Sequence, residues 1–113
     1  MSNPVSTEWL SVPEVCERLG LTPGKVHRLV EERALLGKKV DGVFQIPEAF
    51  LDGDQPLGDL RGTATVLLDG GFSPESAIDW LFAHDEVLGV SPIQAIVEGR
   101  KTEVRRLAQT LAI

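Results

Sequence analysis

Apolar residues recur along the chain in short helical periods punctuated by prolines and glycines, with one stretch of a different period between them. Val12, Val15, Cys16 and Leu19 fall at i, i+3, i+4 and i+7, the pattern of one helical face. Ser11 precedes them as an N-cap, and Pro13 lies near the first helical position. Glu14 puts a carboxylate in the first turn, where the helix dipole favours it, and Gly20 closes the run. The signal repeats at once. Thr22 caps, Pro23 opens, and Val26, Leu29 and Val30 give the buried face of a second helix predicted to reach about Arg33. Two short helices joined by a turn at Gly20 have the spacing of a helix-turn-helix. The period then changes: Leu36 to Val40 and Val43 to Ile46 flank Asp41-Gly42, a strong type I' hairpin signal. A turn there pairs Val40 with Val43, Lys39 with Phe44 and Lys38 with Gln45. Phe44 and Ile46 then face inward and Lys38 outward, making the hairpin a wing.

Asp52-Gly53-Asp54-Gln55-Pro56-Leu57-Gly58-Asp59 cannot continue a helix and is read as a linker over residues 52–59. Beyond it the helical period returns. Leu60, Ala64, Leu67 and Leu68 fit a helix closed by Gly70-Gly71, and Ser73-Pro74-Glu75 opens another with Ala77, Ile78, Leu81 and Phe82 inside and Trp80 beside that face. Ser91-Pro92 starts a third, burying Ile93, Ile96 and Val97 and ending at Gly99. A last helix from Lys101 to about Leu111 buries Val104, Leu107, Ala108 and Leu111. The predicted fold is mainly α: a flexible tail over residues 1–8, a winged helix-turn-helix with a small β-hairpin wing over 9–51, and an all-helical C-terminal module over 60–113.

The formal charge of -6 on 113 residues argues at first against a polyanionic partner. Its distribution changes that. Residues 9–50 hold six basic and six acidic side chains, whereas residues 51–113 hold five basic and ten acidic ones. The acidity belongs to the second half. Within the first, the face of the second helix opposite Val26, Leu29 and Val30 carries Gly24, His27, Arg28 and Glu31, with Lys25 at its margin. In a helix-turn-helix the N-terminal part of this helix enters the major groove of double-stranded DNA. Thr22, Gly24, Lys25, His27 and Arg28 are therefore candidate DNA-contacting residues. Gly24 would let a phosphate approach the backbone, and Arg28 would read a guanine edge in bidentate fashion. Lys38 is placed for a phosphate contact, and Lys39, also a candidate, lays its stem along Phe44. The bland alternatives remain: a solvated helix face, and a hairpin that only covers the helices. Arg100, Lys101, Arg105 and Arg106 are likewise either a phosphate patch or, with Glu98 and Glu103 interspersed, a solvated face.

The run Leu10-Ser11-Val12-Pro13-Glu14-Val15-Cys16-Glu17-Arg18-Leu19-Gly20, then Val26-His27-Arg28-Leu29-Val30 and Ile46-Pro47-Glu48-Ala49-Phe50-Leu51, resembles the winged helix-turn-helix domains of the MerR and excisionase type. That resemblance implies DNA binding through the second helix and the wing. Ala77-Ile78-Asp79-Trp80-Leu81-Phe82, Leu88-Gly89-Val90-Ser91-Pro92-Ile93 and Glu103-Val104-Arg105-Arg106-Leu107 are similar to the toxin-binding domains of Xre, MbcA and ParS antitoxins. The whole arrangement more closely resembles a small actinobacterial family of winged-helix DNA-binding regulators with an all-helical C-terminal half. In that family a Ser/Thr kinase modifies a threonine of the N-terminal tail. Thr7 is the corresponding residue type here, and an unmodified disordered terminus is the alternative.

Catalytic and metal signals are lacking. Cys16 falls on an apolar helix face, where a structural thiol outweighs a nucleophile, and one cysteine makes no internal disulfide. His27 and His84 lie too far apart in sequence for zinc spacing. Asp52, Asp54 and Asp59 read as a solvated loop or, alternatively, a cation site without the calcium-loop pattern. No metal, no other cofactor and no enzymatic activity are expected. No apolar run approaches the ~18 residues of a membrane span, and the first residues lack a basic segment followed by an apolar stretch. A cytoplasmic, nucleoid-associated location follows. The expected role is sequence-specific DNA binding, with a homodimer on two half-sites. The alternative is an antitoxin-like module that binds a partner protein through its acidic helical half, residues 60–113.

Overall fold

A computed structural model describes residues 5–111. The chain divides into two units, Ser6–Arg61 and the residues from Gly62 onward joined by Val5.

The first unit opens on a strand the hydrophobic pattern did not announce. β1 (Trp9–Ser11) pairs antiparallel with β3 (Val43–Pro47), which pairs on its other edge with β2 (Lys38–Val40). The sheet order is β1-β3-β2. Three residues are too few to show a period, so β1 reads as tail in the sequence. The hairpin follows the predicted register, Val40 opposite Val43, Lys39 opposite Phe44 and Lys38 opposite Gln45. Asp41 and Gly42 take φ of 52° and 82°, the left-handed pair a type I' turn requires.

α1 (Val12–Leu19) begins where its cap predicts. The Ser11 hydroxyl accepts from Glu14 N (3.3 Å), and the Glu14 carboxylate accepts from Ser11 N (2.9 Å), a reciprocal box that satisfies two otherwise orphaned donors. The bond from the Ser11 backbone, helped by its hydroxyl, holds the Glu14 carboxyl below the usual range. Gly20 at φ 66° ends the helix and α2 (Pro23–Glu31) starts under a Thr22 cap, whose hydroxyl accepts from Lys25 N at 3.3 Å. α2 stops two residues short of the expected Arg33. Arg33 turns left-handed (φ 66°), and Ala34 N and Leu35 N both return to the Leu29 carbonyl. That turn sends Ala34, Leu35 and Leu36 into the core, and their burial outweighs another turn of helix. Leu29 and Val30 are consequently only half-buried, while Val26 is fully buried.

The stretch read as a linker is folded. A 3-10 turn (Glu48–Phe50) buries Phe50, and β4 (Leu51–Asp52) pairs with β5 (Gln55–Pro56) around Gly53 at φ 64°. Leu10, Val15, Leu19, Val26, Leu35, Ile46, Phe50 and Leu60 make the core of this unit. Its elements form a winged helix-turn-helix.

The second unit is helical. α3 (Leu60–Asp69), whose first two residues belong to the winged unit, is followed by α4 (Pro74–Phe82), α5 (Pro92–Val97) and α6 (Lys101–Leu111). The two predicted serine caps are in place: Ser73 accepts from Ser76 N and Ser91 from Gln94 N. α5 packs against both α4 and α6, around Ile78, Leu81, Ile93, Ile96, Val104 and Ala108. Two expected core residues lie outside it, Val97 at 49% and Leu111 at 39% exposed. Val97 is the last residue of the six-residue α5, and Leu111 is the last residue of α6. Arg105 lays its guanidinium over Gly62, and Arg100 pairs with Glu103 at 2.7 Å. The buried Gln94 amide accepts from Val5 N at 2.9 Å.

Two side chains make this fold testable. Thr63 is fully buried and its hydroxyl has no hydrogen-bond partner among the described residues. Replacing it with the isosteric, apolar valine is expected to stabilise the protein by about 1 kcal/mol, read as a higher urea midpoint. Glu48 accepts from Arg18 (2.8 Å) and from Ser6, and these two bonds, the first the larger, hold its carboxyl below the usual glutamate range. A depressed folded pKa stabilises fully above the titration range of the unfolded glutamate, and the contribution is lost as pH falls through the folded value. Glu48→Gln should therefore lower the urea midpoint at neutral pH and cease to differ from wild type once acidification has protonated Glu48.

Candidate nucleic-acid interface

Because Val26 points into the core, the 100° period of α2 turns Gly24, Lys25, His27 and Arg28 outward, and all four are exposed. A Cβ on Gly24 would meet nothing within 4 Å, so no contact inside the protein requires glycine there. Thr22 is exposed at the same end with its hydroxyl committed to the cap. One helix start thus brings together five of the seven predicted contact residues.

The charges around this surface are unevenly satisfied. Elsewhere in the unit Arg18 is tied to Glu48 at 2.8 Å and Arg61 to Glu32 at 3.8 Å. Among the described residues, the side chains of Lys25, His27, Arg28 and Lys39 enter no ion pair or hydrogen bond. The dipole of the α2 N-terminus adds partial positive charge beside Lys25. The result is a small cationic face on a unit whose other cations are largely engaged.

The other two predicted residues lie on the hairpin. Lys39 is exposed opposite Phe44, as expected. Lys38 is on the outward face, but it is half-buried with its Nζ 5.3 Å from the centroid of the Trp9 ring. Trp9 escaped sequence reasoning because its strand did. The hairpin itself is fixed from behind by Gly37: a Cβ there would sit 2.6 Å from Phe44 Cζ and 2.7 Å from the Gln45 carbonyl oxygen. The ring of Phe44 thus occupies the place of a side chain at position 37.

Thr7 is exposed between Ser6, whose hydroxyl accepts from Glu8 N, and Glu8, whose carbonyl accepts from Glu48 N. Residues 1–4 of the predicted tail lie outside the described residues. Shallow clefts among the described residues include one of about 320 Å³ beside Leu29, Ala34, Leu57 and Arg61 and one of about 300 Å³ beside Val87, Leu88, Arg106 and Leu107. Asp52, Asp54 and Asp59 do not gather: among the described residues no three His, Cys, Asp or Glu side chains converge on a point that would hold a metal. Cys16 is half-buried. No described helix is long and apolar enough to cross a membrane.

Comparison with known proteins bears on both halves. Residues 4–51 match the family model described as the wHTH domain of DNA-binding protein Rv2175c, and residues 57–112 match that of the Rv2175c C-terminal domain of unknown function. DNA-binding protein Rv2175c of Mycobacterium tuberculosis strain H37Rv is 30% identical over 114 residues, spanning 89% of this chain and 78% of that protein. The NMR structure of Rv2175c superposes with a TM-score of 0.86 at 28% identity, covering all of this chain and 86% of that one.

The anchoring of the wing yields a direct test. The Gln45 carbonyl belongs to the β3 backbone and cannot swing away, so Gly37→Ala is expected to cost about 1–3 kcal/mol. A lowered urea midpoint with loss of amide-exchange protection in β2 would show it.

Proposed function

The chain belongs to the Rv2175c family, and from that membership we propose that it is a sequence-specific DNA-binding protein and transcriptional regulator. The second helix lies in the major groove of double-stranded DNA and the wing lies on the phosphate backbone. One observation carries this reading: Gly24, Lys25, His27 and Arg28 stand exposed on the first turns of a helix whose opposite side is locked into the core, and among the described residues no carboxylate pairs with Lys25 or Arg28. Arg28 has the bidentate geometry to read a guanine, worth about 1–3 kcal/mol of discrimination. Lys25 and the two wing lysines supply phosphate contacts, Thr22 orients the helix start, and Gly24 admits a phosphate to the backbone.

The acidic helical half, residues 60–113, lowers affinity for DNA in general and leaves recognition to the local face. We assign it self-association, because a lone module of this size binds a short site weakly and two half-sites held by a dimer remedy that. Within the winged helix-turn-helix class the order of elements is read as MerR- and excisionase-like, and the likeness of the helical half to Xre-type domains fits a role in protein contact rather than catalysis. A phosphate on the exposed Thr7 would add about -1.5 to -2 of charge and weaken DNA binding by repulsion. A regulator of this kind works in the cytoplasm, at the nucleoid.

Selection of a DNA site with the full chain, followed by affinity measurements on the selected duplex, tests the reading. Neutralising about four phosphates per protomer gives a slope of log affinity against log salt near -3.6. Arg28→Ala is expected to weaken binding by about 5- to 150-fold, the range that corresponds to the guanine contact. Salt-insensitive binding, or unchanged affinity in Arg28→Ala, would overturn it.

A further inference from the structure

We infer that the helical half carries a self-complementary face, built from the loop at Glu86-Val87 and one side of α6, on which a second copy of this chain docks about a two-fold axis. The inference rests on the self-association assigned above to residues 60–113.

α6 buries Val104 and Ala108, so the helical period sets Glu103, Arg106, Leu107 and Thr110 along another side, at i, i+3, i+4 and i+7. With Val87 and Leu88 they line the cleft of about 300 Å³. Leu88 is buried and Leu107 half-buried, whereas Val87 is 80% exposed. The loop holds Val87 there. Asp85 Oδ1 accepts from Val87 N at 2.8 Å and from Leu88 N at 3.1 Å, Gly89 N donates to the Asp85 carbonyl at 2.8 Å, and Asp85 N donates to the Val90 carbonyl at 3.1 Å. A backbone closed on itself from both ends thus keeps an apolar side chain in water beside an open apolar cleft. Thr110 donates its hydroxyl to the Leu107 carbonyl at 2.7 Å, so that wall of the cleft asks no hydrogen bond of an occupant.

Two properties of this face select a second copy as its occupant. Knob and cleft are neighbours on one surface, so two copies related by a half-turn place each Val87 in the cleft of the other, against Leu107, as an isologous contact requires. The charges obey the same symmetry. Glu86 and Arg106 are exposed and opposite in sign, and among the described residues neither enters an ion pair or hydrogen bond. Glu103, by contrast, is already answered by Arg100 at 2.7 Å. Exchange across the axis gives Arg106 of each copy the Glu86 carboxylate of the other, at the rim of the apolar contact. A different protein would have to present an apolar knob, an acid and a base in the matching arrangement, which the chain itself carries. One cleft and one side of a helix of 11 residues make a small interface beside the roughly 800 Å² per partner of a standard one, so the dimer is a reversible one.

Sedimentation equilibrium of the full chain over about 1 to 500 μM reads the association directly, and it needs no DNA, so its outcome is independent of the role given to α2. Wild type should pass from monomer to dimer within that range. Val87→Asp should weaken the dimer at least about tenfold. Glu86→Arg and Arg106→Glu should each do the same, because either reversal sets like charges against each other twice across the axis. Mixed in equal amounts, the two reversed chains should associate about as tightly as wild type, since one then carries both cations and the other both carboxylates. A merely structural role for these side chains would give no such rescue. All three are exposed, so the urea midpoints of the variants should stay near that of wild type. Should a reversal fail to fold, Val87→Asp still decides. A wild-type chain that stays monomeric over the whole range overturns the inference together with the self-association. A dimer that either Val87→Asp or the two reversals leave at wild-type strength overturns this face while self-association stands. Reversed chains that each lose the dimer yet fail to associate on mixing overturn the exchange of Glu86 with Arg106, and the inference with it.

Discussion

Ile46 is fully buried in the middle of β3, and the register of the winged unit hangs on that burial. Side chains of a strand alternate between faces, so sliding β3 by one residue against either neighbour would bring Ile46 out and turn Gln45 in. With Ile46 inside, its partner Leu10 is inside as well and the left-handed Asp41-Gly42 turn sits at the tip. Which lysine of the wing faces Trp9 and which faces away is then settled. A single apolar side chain thus determines the display of charges on the neighbouring strand.

The helices obey a comparable division of labour. Their inward residues and caps fix position: Val15 and Leu19 hold α1, Val26 holds α2, and Ser11 and Thr22 set where each begins. The cations with structural work, Arg18 and Arg61, are coupled to carboxylates. Lys25 and Arg28 on the first turns of α2 and Lys39 on the wing enter no such pair among the described residues. The formal charge of -6 conceals this, because a sum over the chain does not distinguish a cation already answered by a neighbour from one left facing solvent.

What could be read beforehand was what is decided locally. N-caps, the glycine stop at Gly20 and the Asp41-Gly42 turn each depend on a few adjacent residues, and each stands where the sequence put it. The candidate face of α2 was equally legible, since helical period and one buried valine suffice to orient it. Elements decided at a distance were not. β1 exists only because β3 passes beside it, and the β4–β5 hairpin is too short and polar to be told from a linker. The end of α2 was overestimated because the competing gain, burial of Ala34, Leu35 and Leu36, comes from tertiary packing. The same blindness hid Trp9 from the candidate site and put Val97 and Leu111 into the core.

The pairing of β1 with β3 also bears on the order in which the winged unit assembles. The β2–β3 hairpin closes over a two-residue turn, and the capped helices need only neighbouring residues, so both form on local contacts. Leu10 and Ile46, by contrast, are roughly 36 residues apart, and bringing them together must overcome the closure entropy of the whole intervening segment. β1 is therefore the late arrival. A nascent wing has its turn, its glycine and its lysines before it has the indole on which one of them comes to rest. Opening of that strand would expose Leu10 and take the indole away from Lys38 in the same event.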